Sequence, residues 1–528
     1  MFILASGIAL VFAAVNSIGF IAGVRMQPAH TVFLGMTHFP DDYFFYLSHF
    51  TQGAAGAVMT ANRYTAETTA PSILYVTNLL MGKIGSLATL APYQSYNLWV
   101  FLLSFAVLIT TYILLKRVYP RRPFAAISGL LFSAAATSLI NHIWVDGQGM
   151  WYPFQLWRSP HFAFDRLGAV PHQLTQTLLF LWIILLLVPA RATPIRLIIT
   201  PLLATVLTIL NPVQAIILLI GVWFITVGNF FARRIRLAPL LVTTAAVGLS
   251  AFLVSQIINT LPHLQSKLWE AQQQTTTSLP FLFASIGPIA WLALVGMLKL
   301  RSHDEQPWIR LSTFFVVASY AAFLSPLPKL VGITNTRIIF PALYPFFGIL
   351  AVAGTDTIAK FLHKKFSLPR RLSAGVVLVS FLAASLPTLV WEINQKLLPF
   401  NNRQDPLIYL PQTVAAGFSF LGQREAGAIV LANPGSHMDL LVPALSNHTT
   451  YSGHMLATID ASHKSAEAVT FFNLTMPAAK TWLTTRAIRY IVWTTFDGNR
   501  NAFAQAYPWL VPVYANATVV VYRLPSAL

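Results

Sequence analysis

Asp41 and Asp42 stand side by side in FPDDYFFYLSHFTQGAAG (39–56), on a chain with 16 acidic residues among 528. A carboxylate in such a place can cap a helix or take a proton during a reaction. Pro40 precedes the pair and an aromatic run follows it, which puts Asp41 at an expected N-cap. The helix predicted over 42–52 carries Tyr43, Phe44, Phe45 and Tyr46, a composition suited to a membrane interface. Neighbouring helical residues point about 100° apart, so both carboxylates cannot serve one point. One can cap while the other reacts, or both can simply stabilise the helix start.

The other polar chemistry is sparse. Glu67, in YTAE (64–67), is either a helix-start residue before Pro71 or a carboxylate that supports a site or a metal. A second loop, 142–171, gathers Arg158, His161, Asp165 and Arg166, with His172 just beyond. It is dense in Trp and Pro, which suits a lid over a donor or acceptor and equally an aromatic belt at a membrane surface. The long apolar runs hold two carboxylates, Asp356 and Glu392, each near a run's end. An ion-coupled transporter needs ionisable groups near mid-membrane, so that class is disfavoured. No HExxH, GxGxxG or Walker motif occurs, and His437, His448, His454 and His463 fall on unrelated elements that suggest no zinc site. There is no Cys, hence no disulfide and no thiolate chemistry.

The elements that must position these residues follow from composition. The chain is 56% hydrophobic and 9% charged, against about 25% charged in soluble domains, which excludes both a soluble globule and a disordered chain. Apolar runs at 3–24, 96–115, 123–141, 172–190, 195–210, 212–231, 237–259, 281–300, 311–326, 338–359 and 372–393 predict about eleven transmembrane helices. The connections after even-numbered runs carry 17 Lys and Arg, among them Lys116, Arg117, Arg191, Arg233, Arg234, Arg236, Lys299 and Arg301; the longer opposite loops carry 8. By the positive-inside rule the N-terminus is cytoplasmic and the protein sits in the plasma (inner) membrane. The net charge of +18 therefore reflects topology and implies no nucleic-acid partner.

Residues 1–393 read as the membrane domain with a long first outer loop, 25–95. Residues 394–528 read as an extracytoplasmic α/β domain. Its predicted strands are 427–432, 489–494, 511–514 and 518–523, and its predicted helices are 411–421, 436–446, 462–473 and 477–487.

This outline resembles the GT-C class of membrane glycosyltransferases, which includes oligosaccharyltransferases, protein O-mannosyltransferases and lipid A aminoarabinose transferases. The resemblance rests on the N-terminal anchor, the long first outer loop opening on Asp41-Asp42-Tyr43, YTAE (64–67), TRIIFPALYP (336–345) and the outer C-terminal domain. It implies a polytopic, GT-C-like α-helical protein that takes a sugar from a polyprenyl-phosphate donor in the membrane lipid. The acceptor would be an extracytoplasmic glycan, lipid or protein. Asp41 or Asp42 matches the catalytic base of an inverting transfer. Arg337, with Lys83 as a second cation, matches the group that holds the lipid phosphate; both residues also fit helix ends anchored at the interface. Arg63, Glu67, Arg158, His161, Asp165 and Arg166 remain as substrate or supporting residues. A divalent metal stays open, because oligosaccharyltransferases use one and relatives with monophosphate donors often do not. A lipid-linked glycan transporter or polymerase, or a scaffold presenting the outer domain, is the competing reading.

Overall fold

A computed structural model describes residues 1–168, 170–188, 194–230, 237–298 and 306–525. Arg191, Arg233, Arg234, Arg236, Lys299 and Arg301, counted above for orientation, lie outside the described residues, as do the ends of several predicted runs. The chain divides into two units: 1–18, 100–256 and 267–396 form one, and 19–99, 257–266 and 397–528 the other.

The first unit is helical. Among the described residues, five helices are long and apolar enough to cross a membrane, or seven if each of two bent pairs is one span. Four shorter apolar helices join them: Pro123–Ala135, Pro171–Leu187, Pro194–Leu210 and Pro212–Val227. Proline opens each of these four, since its missing N–H costs nothing at a first helical position. The span Asn335–Phe366 has its apolar window wholly buried, whereas Ala238–Ile258 and Arg370–Asn401 bury only 22% of theirs. The outward Leu249, Phe252, Val379 and Leu386 of those two helices make an apolar exterior, as a lipid solvent requires.

Several predicted runs differ in detail. The run 3–24 is a pair of helices, Phe2–Asn16 and Ile18–Arg25, bent by 49°. The run 281–300 is not one straight span, because Leu279–Ile286 and Pro288–Met297 meet at 101°. Gly287 makes that corner with φ +81°, and a Cβ there would fall 1.8 Å from the carbonyl oxygen of Thr137. The Pro288–Met297 helix then lies backbone-close to Tyr344–Phe366: a Cβ on Gly296 would meet the Leu350 carbonyl, and one on Gly354 the Leu292 carbonyl, each at 2.0 Å. The run 123–141 is helical only to Ala135. Strands Ile140–Val145 and Gln148–Pro153 follow as an antiparallel hairpin. Asp146 and Gly147 turn it with φ +50° and +77°, the primed geometry that Asp-Gly favours.

The second unit joins the first loop to the C-terminal part. Strand Thr31–Phe33 pairs antiparallel with Tyr409–Pro411. Helix Pro40–Ala54 packs on Val76–Leu87 through glycines, since a Cβ on Gly53 would fall 1.9 Å from the Leu79 carbonyl and one on Gly82 would strike the backbone of Phe50. A boundary at 393/394 thus separates stretches that share one body, because loop and C-terminal residues bury the same strand pair and helix faces. A five-stranded sheet runs in the order Thr449–Thr450, Ile429–Leu431, Ile488–Thr494, Val519–Arg523, Val511–Ala515. The first three strands are parallel and the last two antiparallel. Helices Gln412–Gly422, Met438–Ser446, Ala461–Phe472 and Ala479–Thr485 stand close to the periodicity-based expectations.

Candidate active site

Helix Pro40–Ala54 begins with Pro40 at its first position, and its N-cap is Phe39, which offers no side-chain bond. Asp41 is therefore not the cap. Both aspartates lie inside the first turn, where a carboxylate faces the positive end of the helix dipole. The inner face of the helix buries Tyr43, Phe44, Leu47 and Phe50, which leaves Asp41 and Asp42 half-buried at its start.

Asp42 has a partner from the C-terminal part of the same unit. Its Oδ1 lies 3.3 Å from Nε2 of His454. Nδ1 of His454 accepts the backbone N–H of Leu456 at 3.2 Å, so the ring hydrogen sits on Nε2 and donates to Asp42. The His454 side chain is 10% exposed and that of Asp42 48%, so a nearly buried ring bonds a half-exposed carboxylate.

A third carboxylate, Asp439, lies within electrostatic reach of Asp41. Asp439 opens helix Met438–Ser446, is buried, and accepts the N–H of Leu440 at 3.0 Å. Burial, with a contribution from the charge of Asp41, pushes its pKa up to about 8, so it holds a proton at neutral pH. Tyr64 is fully buried beside these groups and donates to the Leu440 carbonyl at 3.0 Å. Its phenol is pushed up by burial and then by the charges of Asp439 and Asp41. His49, two turns along the aspartate helix, stacks on Tyr75 at 4.9 Å, and burial lowers its pKa to about 3. Neither His454 nor Asp439 stood out in the sequence; a histidine inside a Gly- and Thr-rich loop is a common surface pattern, and Asp439 looks like any helix-start acid.

The remaining candidates divide between the units. In the second unit, Glu67 is paired with the buried Lys464 and bonded by Thr65. Arg63 reaches Thr449 Oγ1 at 3.4 Å, and burial lowers its pKa. Lys83 lies half-buried on helix Val76–Leu87 with no ion-pair partner among the described residues. In the first unit, Arg337 sits in the 3-10 turn Asn335–Ile338 and binds Glu270 through Nε and Nη2. It is an ion-paired residue rather than a helix end reaching for water.

The 158–166 segment of the first unit is internally committed. Arg166 donates to the carbonyls of Pro160, Ser133, Ala134 and Ala136 at 2.8–3.1 Å, and its guanidinium lies 3.7 Å from the centre of the Tyr344 ring. Three of those carbonyls belong to the end of helix Pro123–Ala135 and the residue after it, so Arg166 satisfies that helix's C-terminus and accounts for its early stop. His161 is buried, with Nε2 3.0 Å from the Tyr320 hydroxyl. Arg158 pairs with Asp165 at 2.6 Å. Glu392 accepts from the N–H groups of Ala163 and Phe164 and from Thr137 Oγ1. Arg166 and His161 thus have no free donor facing solvent. Among the described residues, no three His, Asp or Glu side chains gather as a metal site.

No protein-family model and no curated protein matches the chain. Solved structures do. ArnT from Cupriavidus metallidurans bound to undecaprenyl phosphate aligns with 99% of this chain and 99% of its own, at 14% identity and a TM-score of 0.50. The arabinofuranosyltransferase AftD from Mycobacteria aligns with all of this chain, which spans 40% of AftD, at 16% identity and a TM-score of 0.50. At such identities the likeness concerns the fold. The chain is a multi-pass helical protein with the GT-C-like fold of membrane glycosyltransferases.

Proposed function

We propose that this protein is a membrane glycosyltransferase that moves a sugar from a polyprenyl-phosphate-linked donor to an extracytoplasmic glycan, lipid or protein, with inversion. The observation that carries the reading is the acidic pair at the start of helix Pro40–Ala54, with Asp42 bonded by His454 and half-exposed. It stands within a fold shared with an ArnT structure that holds undecaprenyl phosphate. In the reaction, one of Asp41 and Asp42 takes the proton from the acceptor hydroxyl. That oxygen bonds to the anomeric carbon from the face opposite the lipid phosphate, the bond to the phosphate oxygen breaks, and polyprenyl phosphate leaves with the electron pair. Arg337, assisted by Lys83, compensates the charge on the departing phosphate. Arg337 would exchange Glu270 for the phosphate as the lipid enters. The N-terminus is cytoplasmic, and residues 394–528 lie on the outer side together with the first loop.

The test is direct. Purified full-length protein is incubated with radiolabelled polyprenyl-phosphate sugars and with cell-envelope glycans, lipids and peptides in turn. Label moving from lipid to acceptor, with inverted anomeric configuration, is the expected result. Release of label to water alone, or none with any donor, would remove the reading. Reporter fusions after Arg371 and at the C-terminus should report opposite sides of the membrane.

A further inference from the structure

Among the described residues, strands Ile140–Val145 and Gln148–Pro153 form a two-stranded sheet of their own. One of its faces carries His142, Trp144 and Trp151, with the imidazole centred 5.4 and 5.3 Å from the two indoles. The other face carries Ile143, Val145 and Met150. Trp144 is 73% exposed, Trp151 64%, Val145 44% and Met150 40%. Such an exposed apolar surface marks an interaction site, and a two-stranded hairpin by itself is marginal in water. The base of the hairpin is tied to membrane helices of the same unit. The Leu139 N–H donates to the Ala284 carbonyl at 2.8 Å, and the Phe154 N–H to the Leu139 carbonyl at 2.9 Å. The Tyr152 ring meets Trp391 of helix Arg370–Leu397 edge-on at 5.4 Å, and Phe154 meets Phe281 at 5.5 Å. The turns that precede Trp391 expose Val390 and Leu386, so the hairpin continues the apolar exterior that faces lipid.

We propose that the hairpin 140–153 is a membrane anchor whose apolar faces dip into the headgroup region of the leaflet at which helix Arg370–Leu397 ends, the outer one in the orientation proposed above. The inference needs a bilayer but not sugar transfer, and it assigns the aromatic residues of the hairpin to lipid rather than to a lid. Two constraints set the depth. The outer edge of each strand carries N–H and C=O groups that hydrocarbon cannot satisfy, so the hairpin stays out of the bilayer core. An indole joins an apolar body to one N–H donor, which suits the headgroup level. Asp146 and Gln148 at the turn then remain among headgroups or water. The stretch 140–153 has no Lys or Arg, so apolar burial holds it rather than attraction to anionic lipid, and salt should not release it. A bound glycan would use the aromatic face and leave the aliphatic one in water, whereas a lipid surface covers both.

The chain has no Cys, so a cysteine introduced at Met150 or at Val145 is labelled uniquely. Full-length Met150→Cys and Val145→Cys proteins carrying an NBD fluorophore are reconstituted into phosphatidylcholine vesicles, with and without phosphatidylcholine that bears a nitroxide high on its acyl chain. The lipid nitroxide should quench both labels at low and at high salt. Iodide, present on both sides of the bilayer, should quench them several-fold less than it quenches the same fluorophore on glutathione. Trp144→Ser with Trp151→Ser in the Met150→Cys protein should weaken lipid quenching and raise iodide quenching toward the glutathione value, with melting temperatures confirming the fold. Should that variant not fold, Trp144→Ser alone gives the same comparison at the more exposed indole. Full iodide quenching without lipid quenching would place the hairpin in water and overturn the proposal. So would protection from iodide that appears only when cell-envelope glycan is added, stronger quenching by a nitroxide at the chain end than by the shallow one, or a label depth that the serine substitutions leave unchanged.

Discussion

Arg337 grips Glu270 with two donors, Nε standing 3.1 Å from Oε2 while Nη2 binds Oε1. The side chains remain 47% and 26% exposed, so the pair adds little to stability. Its geometry matters more, because the same fork fits a phosphate. Arg337→Ala should weaken use of the lipid donor at least ~10-fold, and Arg337→Lys should restore only part. Glu270→Gln should leave donor use intact or improved, since the guanidinium then need not give up the Glu270 carboxylate. Donor titrations of the three variants check this, and unchanged kinetics in Arg337→Ala would leave only an ion pair.

Asp41→Asn and Asp42→Asn separate chemistry from helix stabilisation. Because Phe39 is the cap, neither substitution removes a capping bond: Asn in place of Asp41 loses an interaction with the helix dipole, about 0.3–1 kcal/mol, and Asn in place of Asp42 keeps an oxygen to accept from His454. Melting should scarcely move. Turnover should drop about 10²–10⁴-fold for whichever aspartate is the base. Near-wild-type transfer by both variants would exclude a loop-one base.

Asp439 makes stability depend on pH. Its folded pKa of about 8 lies above the unfolded value of 3.8, so the folded state binds more protons between those limits. The stability of the wild type is complete below the unfolded pKa and is lost as pH rises through the folded one. Asp439→Asn keeps an acceptor for the Leu440 N–H and has no proton to lose. It should therefore raise the melting temperature more at pH 8.5 than at pH 5, with a difference exceeding ~1.4 kcal/mol, the equivalent of one pKa unit. A melting series over that range shows the slope directly, and parallel curves for both proteins would mean that folding does not raise the pKa of this carboxyl.

Arg166 should prove structural. Replacing it with Met strands four carbonyls, and Lys reaches too few of them, so each variant should lose about 3–5 kcal/mol or fail to accumulate. A folded Arg166→Lys protein with normal stability and a raised KM for substrate would return the residue to the site.

Much of this protein is legible from local pattern. A chain with 9% charge and repeated apolar runs can satisfy its backbone only as packed helices in lipid, and that follows from composition alone. The aromatic run after Pro40 marks a helix start, and VVVYR marks a strand, because both depend on neighbours within one turn or one pleat. The cap differs from the expectation, since Phe39 takes that position and Pro40 the first helical one, which moves Asp41 two positions inward.

What local pattern cannot carry is the meeting of distant side chains. Glu392 and Phe164 are 228 residues apart, and a carboxylate in an apolar run signals an internal partner without saying which. The 101° corner at Gly287 depends on the Thr137 carbonyl passing where a Cβ would be, a contact no helical period records. Asp42 and His454 are separated by 412 residues. The acidic pair could be picked out as reactive from its rarity and its place before an interfacial helix. That one member is bonded by an imidazole, and that the charge of the other helps raise the pKa of the buried Asp439, depends on how loop and C-terminal segments close on each other, because these interactions are set by distance in space and are blind to distance along the chain.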